Sequence, residues 1–511
     1  MELLLSENIK RIDDSAQSVM GVSLYELMRR AGSAVRDAVV SELPSGGRVL
    51  VLCGKGNNGG DGYAMAAELK EEYSVTVLDV FSAGQRSEEG RIFLDKYRSL
   101  GGRIVLMSTV GLGTLHSLIS EADLIVDAIF GTGFTGELPE EMQQLCRLVN
   151  ESSATVVAVD IPLGVCSDSA ETSGTRLSAD ITVALTALKP CHVCYPAKEA
   201  VGKVVLSDLG IGDMIPDDMK HSDIFMTDMR EARSMLPKRR CNGHKGSFGR
   251  VAHLTGSDEY RGAAHLALEA TLRSGAGMVW HLGGADINSE LRLKFPEAIY
   301  KDIDVSTVDP RELADFLDGF DSVLIGPGCG ASEELCAIIT ELLSRDGAPL
   351  VLDADAINSI ARYGKVDILG HSKRSVILTP HPLELSRLTA SPVVEIESSR
   401  LKTAITAASR LGAVLLLKGA GTVITDGKRA YINTTGSTAL SKGGSGDALA
   451  GVIASLAAAI PDPLQAAALG AYIHGAAGDT LAESLSEFGV IPSDLPVEIA
   501  KAIKKLTSQN D

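Results

Sequence analysis

Twice along its 511 residues the chain passes through the same alternation of short apolar runs and helical stretches, a recurrence that restricts the fold more than any single motif. Between 48 and 210 the apolar runs fall at 48–53, 74–80, 103–107, 123–129, 155–160, 180–185 and 203–207. Strands separated by helix-length segments predict a parallel sheet covered on both faces, because parallel neighbours need a crossover between them. The pattern lapses over 211–246, through IGDMIPDDMKHSD and LPKRRCNGHKG. It then restarts in GRVAHLTGS, GMVWHL, DSVLIGPG, PLVLDAD, SVILTP, AVLLLKG and TVITDG. Two α/β domains are expected, 1–218 and 225–511; the length agrees, since a single core stops growing near ~250–300 residues. The first forty residues read as helix, with SLYELMRRAGSAVRDAVV placing apolar residues at helical spacing. In open sheets of this kind ligands gather at the carboxyl ends of the strands, so the residues that follow each strand carry the argument.

Composition narrows the partners. A formal net charge of −18 argues against nucleic acid or an anionic membrane as the main partner and leaves small molecules. The opening MELLLSENIKRIDD is too short an apolar run for a secretory signal, and ALAGVIASLAAAI (448–460) is too short to span a bilayer. A cytoplasmic location is the expectation, with the second segment a buried helix. The eight cysteines are scattered. CHVC (191–194) lacks the second pair that a zinc site would use, and reads as thiols in a reducing compartment.

GKGNNGGDG (54–62) lies between an apolar strand and a helix. Gly54, Gly56 and Gly59 match the dinucleotide fingerprint, and Asp79 follows twenty residues on, near the end of the next strand. Asn57, Asn58 and Asp61 do not belong to that fingerprint. A carboxylate at Asp61 would compete with phosphate for the amide donors of the helix start. The loop is therefore expected to read more than a plain pyrophosphate. In the second half SKGGSGDALAGVIASL (441–456) is the most specific signal. Gly443, Gly444, Ser445 and Gly446 offer backbone amides to an anion at the start of an apolar helix. Asp447 in the first turn has two readings, a helix cap or a base that takes a proton from an attacking hydroxyl. LLLKGAGTVI supplies Lys418 and Thr422 around two glycines, suited to nucleotide phosphates or ribose. LTPHPLELSRL places His381 and Glu384 after a strand, between prolines that fix the backbone.

The G-x-G-D segment resembles the ribokinase-like kinases, whose aspartate is the base. The ordered set HKGSFGRV, GSDEYRGAAHLALEATLRSGAG, GPGCG, LDADAIN, LTPHPLE, LKGAGT and GGSGDALAGVI looks like the ADP/ATP-dependent NAD(P)H-hydrate dehydratases, a ribokinase-like family. The first half, through CGKGNNGGDG, VDAIFGTGFTGELP and VDIPLG, is similar to the companion NAD(P)H-hydrate epimerases. The resemblance covers nearly the whole chain and implies a Rossmann-like three-layer domain followed by a ribokinase-like α/β domain. It implies that Asn57, Asn58, Gly59, Gly60 and Asp61 bind the hydrated dinucleotide. Gly131, Thr132, Gly133, Phe134, Thr135, Gly136 and Glu137 would embrace its phosphates, and Asp160 would be the epimerase acid/base. Asn58 and Asp127 would hold a potassium ion, for which oxygen donors are suited.

In the dehydratase half the resemblance implies substrate contacts from Ala263, Gly328, Gly330, His381, Glu384 and Asp447. Lys418, Gly419, Ala420, Gly421, Thr422, Gly444, Ser445 and Gly446 would hold ADP or ATP with magnesium. Asp447 would deprotonate the ring hydroxyl, which attacks the terminal phosphoryl, and loss of phosphate would restore NADH or NADPH. A homo-oligomer acting on these small molecules is expected. The chain departs from the family in one place, where Leu163 in DIPLG replaces the serine of D-I-P-S-G. Two alternatives stand beside this reading: a small-molecule kinase, and a dehydratase whose first half only binds.

Overall fold

The computed structural model describes residues 1–81 and 86–508. The chain divides into two compact units, Glu2–Ile224 and Phe225–Asp511, with Met1 joining the second.

The first unit is built on a seven-stranded, all-parallel sheet. Its strands are β1 (Arg48–Cys53), β2 (Ser74–Asp79), β3 (Arg103–Leu106), β4 (Leu124–Ala128), β5 (Thr155–Val159), β6 (Ile181–Leu185) and β7 (Lys203–Ser207), in the order β3-β2-β1-β4-β5-β6-β7. β1, β4 and β6 are buried almost end to end and, Asp127 in β4 apart, mainly apolar, because helices cover both faces. The helix Leu24–Glu42 starts where the Ser23 side chain accepts the Glu26 amide. It buries Leu27, Met28, Ala31, Val35, Ala38 and Val39, a stripe at helical spacing, in the core under the sheet. The strand order reverses between β1 and β4, so the loops after these strands diverge and open a crevice at their carboxyl ends.

The second unit has a ten-stranded sheet made of β8 (Ile224–Thr227), β9 (Arg250–Leu254), β10 (Met278–Gly283), β11 (Ile299–Asp302), β12 (Ser322–Ile325), β13 (Leu350–Leu352), β14 (Val376–Leu378), β15 (Val414–Leu417), β16 (Val423–Thr425) and β17 (Ala430–Asn433). The order is β11-β10-β9-β12-β13-β14-β15-β16-β17-β8. From β11 to β15 neighbours are parallel, but β16 runs antiparallel to β15 and β17 to β16. Residues 418–422 are too few for a crossover, so β16 returns as a hairpin and the alternation read from the sequence ends there.

The helix Ser445–Ala457 is buried along its length and packs on Arg261–Arg273. At the contact a Cβ on Gly451 would meet the Ala267 carbonyl oxygen at 2.2 Å. Gly451→Ala is therefore expected to cost about 1–3 kcal/mol, typical of overpacking, and to lower the melting transition of the second unit. An unchanged transition would mean that the two helices separate freely. Among the described residues no helix is long and apolar enough to cross a membrane.

Candidate active sites

In the first unit a cavity of about 530 Å³ opens at the carboxyl ends of β1, β4, β5 and β6. Asn57, Asn58, Asp61, Gly131, Thr132, Gly133, Phe134 and Asp160 line it. Gly59 and Gly60 are buried behind this wall: a Cβ on Gly59 would meet the Gly54 carbonyl oxygen at 2.0 Å, so the loop closes only without side chains there. Thr135, Gly136 and Glu137 are exposed and do not line the cavity. Glu137 instead accepts from the Ser173 hydroxyl (2.8 Å) and the Gly174 amide (3.1 Å). Asp79 also lies away from the cavity, buried and paired with Arg86.

The carboxylates of this site differ in their surroundings. Burial pushes Asp61 well above the usual carboxyl range, with Asp160 and Asp13 adding to the shift. That shift weakens the opposition between Asp61 and a phosphate. Asp160 follows β5 with φ of 63°, and its Oδ1 accepts from Lys189 Nζ at 2.6 Å and the Leu185 amide at 3.0 Å. Lys189 is fully buried and also donates to the Leu185 carbonyl at 2.9 Å. His192 Nδ1 accepts the Lys189 amide (3.0 Å), so its Nε2 donates to the Asp160 carbonyl (2.8 Å). Both ring nitrogens are thus engaged within the protein, and neither is spare for a metal. Burial and Lys189 hold the His192 imidazole down at about 4.

Asp127, next to last in β4, is fully buried, with Oδ1 accepting the Ile129 amide (3.1 Å) and Oδ2 the Leu163 amide (2.7 Å). Burial pushes it up to about 7 against those two bonds. Asn58 donates its Nδ2 to the Phe130 carbonyl at 2.9 Å.

In the second unit the loops after β9, β12, β13, β14 and β15 converge. Gly444, with φ of 106°, is the N-cap of the helix Ser445–Ala457. Asp447 lies in its first turn, and among the described residues its carboxyl has no hydrogen-bond partner. Burial first, then Asp353 and Asp355, push its carboxyl up to about 7, with Lys418 opposing. Lys418 Nζ donates to Asp353 Oδ1 at 2.5 Å, and a Cβ on Gly446 would meet that same Nζ at 3.2 Å. One ammonium therefore reaches the glycine loop and the end of β13 together. Burial works against its charge, but Asp353 and Glu384 outweigh burial and hold it above its usual value.

Gly419, Ala420, Gly421 and Thr422 form the β15–β16 hairpin turn, where the Thr422 hydroxyl donates to the Gly419 carbonyl at 3.0 Å. Gly328 packs on Ala263 so closely that a Cβ would meet the Ala263 Cβ at 2.8 Å. The Gly330 amide donates to Asp355 Oδ2 at 2.8 Å. His381 and Glu384 form a capping box on the helix Pro382–Thr389: His381 Nδ1 accepts the Glu384 amide (3.2 Å), and Glu384 accepts the His381 amide (2.9 Å). Glu384 is buried, while His381 keeps its outer edge exposed.

Two family models match the chain: one described as NAD(P)H-hydrate dehydratase over residues 251–504, and one as YjeF-related protein N-terminus over 24–191. The chain is 34% identical to the bifunctional NAD(P)H-hydrate repair enzyme Nnr of Moorella thermoacetica, over 97% of this chain and 95% of that one. The Escherichia coli protein of the same name is also 34% identical, over 96% and 92%. The chain belongs to the bifunctional NAD(P)H-hydrate repair enzymes. Among solved structures, an ADP/ATP-dependent NAD(P)H-hydrate dehydratase from Bacillus subtilis is 30% identical, covering 55% of this chain and 98% of that one with a TM-score of 0.49.

Membership in the repair-enzyme family accounts for the two sites on one chain. It leaves several residues that the sequence did not single out: Asp13, Lys189 and His192 in the first unit, Asp353 and His474 in the second. Asp353 lies in LDADAIN, and the strained Ala354 beside it (φ 47°) marks the spot only in the folded chain. His474 is buried and held down at about 4 by burial, hydrogen-bonded to the Ser445 backbone.

Proposed function

We propose that the first unit interconverts the two epimers of hydrated NADH or NADPH, and that the second dehydrates the S epimer at the expense of ADP or ATP. The observation that carries this reading is Asp447: a carboxyl without a capping bond, poised near neutrality, in the first turn of a glycine-started helix that Lys418 also reaches. Asp447 takes the proton of the ring hydroxyl as its oxygen bonds to the terminal phosphorus and the phosphoanhydride bond breaks. The amides of Gly444 and Gly446 and the Lys418 ammonium face the charge that develops, while the Ser445 amide donates to the Lys442 carbonyl at 3.2 Å. The C–O bond then breaks, its electron pair leaves with phosphate, and loss of a ring proton restores the dihydronicotinamide. Among the described residues no group of three or more His, Cys, Asp or Glu side chains is placed to hold a metal. Magnesium would enter with the nucleotide phosphates, as it commonly does.

Potassium fits the first site by its donors. Asp127 is a fully buried carboxyl whose oxygens accept backbone amides; it is not among the residues that line the cavity, whereas Asn58 is. A monovalent cation held by these oxygens would supply the missing positive charge. Leu163 serves the site through its backbone amide while its side chain is buried in the apolar core, so a serine hydroxyl is not needed for that bond. Asp127→Ala should abolish potassium dependence, slow epimerisation and leave dehydration intact. Leu163→Ser removes a fully buried core side chain and should lower the melting transition of the first unit, with potassium dependence retained. Retained potassium dependence in Asp127→Ala would refute this assignment.

The activity itself is tested by incubating the mixed hydrate with ADP or ATP and following the return of dihydronicotinamide absorbance. Recovery of both epimers supports the proposal. A stable phosphorylated product identifies a kinase, and recovery of one epimer alone reduces the first unit to a binding module. We also expect a homo-oligomer, supported by the 92% exposed Phe488 and 90% exposed Leu293, which sedimentation would read directly.

A further inference from the structure

The geometry points to Asp13 as a second catalytic group of the epimerase unit, carrying a proton opposite Asp160. This rests on the epimerase reading above. Epimer exchange at a carbon bearing both a hydroxyl and a ring nitrogen needs two proton carriers, one to accept and one to donate. The resemblance supplied only Asp160.

Asp13 lies on the helix Ser6–Ser15 and lines the same cavity as Asp61 and Asp160. That helix is fixed in place. Ile12 is fully buried, the Ser6 amide and hydroxyl both donate to Asp168 at 2.9 Å, and Asn8 donates to the carbonyls of Met219 and His221 at 3.2 and 3.0 Å. The Asp13 carboxyl is therefore held at the cavity, yet among the described residues it has neither a hydrogen-bond partner nor an ion pair. Nothing in the fold uses it.

Asp160, by contrast, is tied to the Lys189 ammonium and the Leu185 amide. Two carboxyls in one cavity, one salt-bridged and one bare, are divided by their surroundings in the way that separates a base from an acid. Burial raises Asp13 to about 6, with Lys189 opposing and Asp160 and Asp14 adding to the rise. A group there both gives and takes a proton near neutral pH. Asp61 shares the cavity but is held well above its usual range and gives up its proton less readily.

The step balances without an oxidant or reductant. Asp160 takes the hydroxyl proton and the O–H electron pair forms the carbonyl. The C–N bond breaks with its pair on the ring nitrogen, which takes the proton of Asp13. Closure on the opposite face of the carbonyl reverses each transfer, returns both protons to their donors and yields the other epimer.

The test uses the full chain with separated R and S hydrates of NADPH, reading epimer exchange without nucleotide and dehydration of pure S hydrate with ADP. Asp13→Asn should slow exchange at least ~100-fold, the lower end for losing a positioned proton carrier. The KM for hydrate should stay within about threefold and dehydration should be unchanged. Asp13→Glu should recover part of the lost rate. Exchange by Asp13→Asn within about threefold of the parent would overturn the assignment. So would a glutamate variant as slow as the asparagine one together with a lowered melting transition, since that marks a structural residue. If the parent chain itself exchanges no epimers, the epimerase reading fails, and that result is distinct from either variant's.

Discussion

Asp447→Asn is expected to slow dehydration at least ~100-fold while ADP affinity and epimer exchange persist. Asparagine keeps the size of the side chain but cannot accept the proton of the ring hydroxyl. Nucleotide binding should survive because its anchors are elsewhere, in the backbone amides of Gly444 and Gly446 and the ammonium of Lys418. A helix cap would predict the reverse, since Asp→Asn at a helix start is nearly neutral. The structure gives capping no support: Gly444 is the N-cap, and among the described residues the Asp447 side chain bonds to no amide of the helix start. ADP affinity and single-turnover dehydration measured on one Asp447→Asn sample separate the two roles. Near-normal turnover would remove Asp447 from the chemistry.

The pH profile tests the same assignment without a mutation. A base works only in its ionised form, and burial with Asp353 lifts the Asp447 carboxyl to about 7. The kcat/KM for dehydration should therefore rise about tenfold per pH unit up to about pH 7 and level off above it. A flat profile from pH 5 to 8 would place the base elsewhere.

Much of the fold was legible because its strands are buried on both faces. Runs such as RVLVLC and ITVAL have no polar side to present, so they stand out against the helices. IYKD of β11 lies at the sheet edge, mostly exposed, and carries no such signal. The sequence of the β15–β16 hairpin reads as two strands, but its antiparallel sense follows from loop length, which the strand pattern alone does not convey. In the sites, residues next to glycine-rich turns were found because close backbone approach restricts what the sequence can carry. Lys189 and Asp13 were not. A lone lysine after a strand and an aspartate on an amphipathic helix are ordinary features until the fold brings them to one cavity. KPCHVC drew notice for its cysteine spacing, whereas the structure uses its lysine and histidine.

Asp160 and Lys189 carry the other large effect, and here rate and stability should part. Asp160→Asn is the substitution its backbone tolerates, since asparagine adopts the left-handed conformation that φ of 63° requires. The amide oxygen can still accept from Lys189 and Leu185, so the unit should fold, while epimer exchange falls at least ~100-fold for want of the base. Lys189→Met acts differently. It leaves a carboxylate buried at 10% exposure with its ammonium gone, and breaking such a pair from one side costs about 3–5 kcal/mol. The first unit should therefore melt well below the parent chain, and the second should keep its dehydratase activity. Combining Lys189→Met with Asp160→Asn removes the stranded charge as well as the cation. The double variant should thus be more stable than Lys189→Met alone, a non-additivity that denaturant unfolding of the first unit would measure. Additive losses would mean that the two side chains do not form a pair in solution, and with it would go the argument that Lys189 holds the Asp160 carboxylate in place for proton transfer.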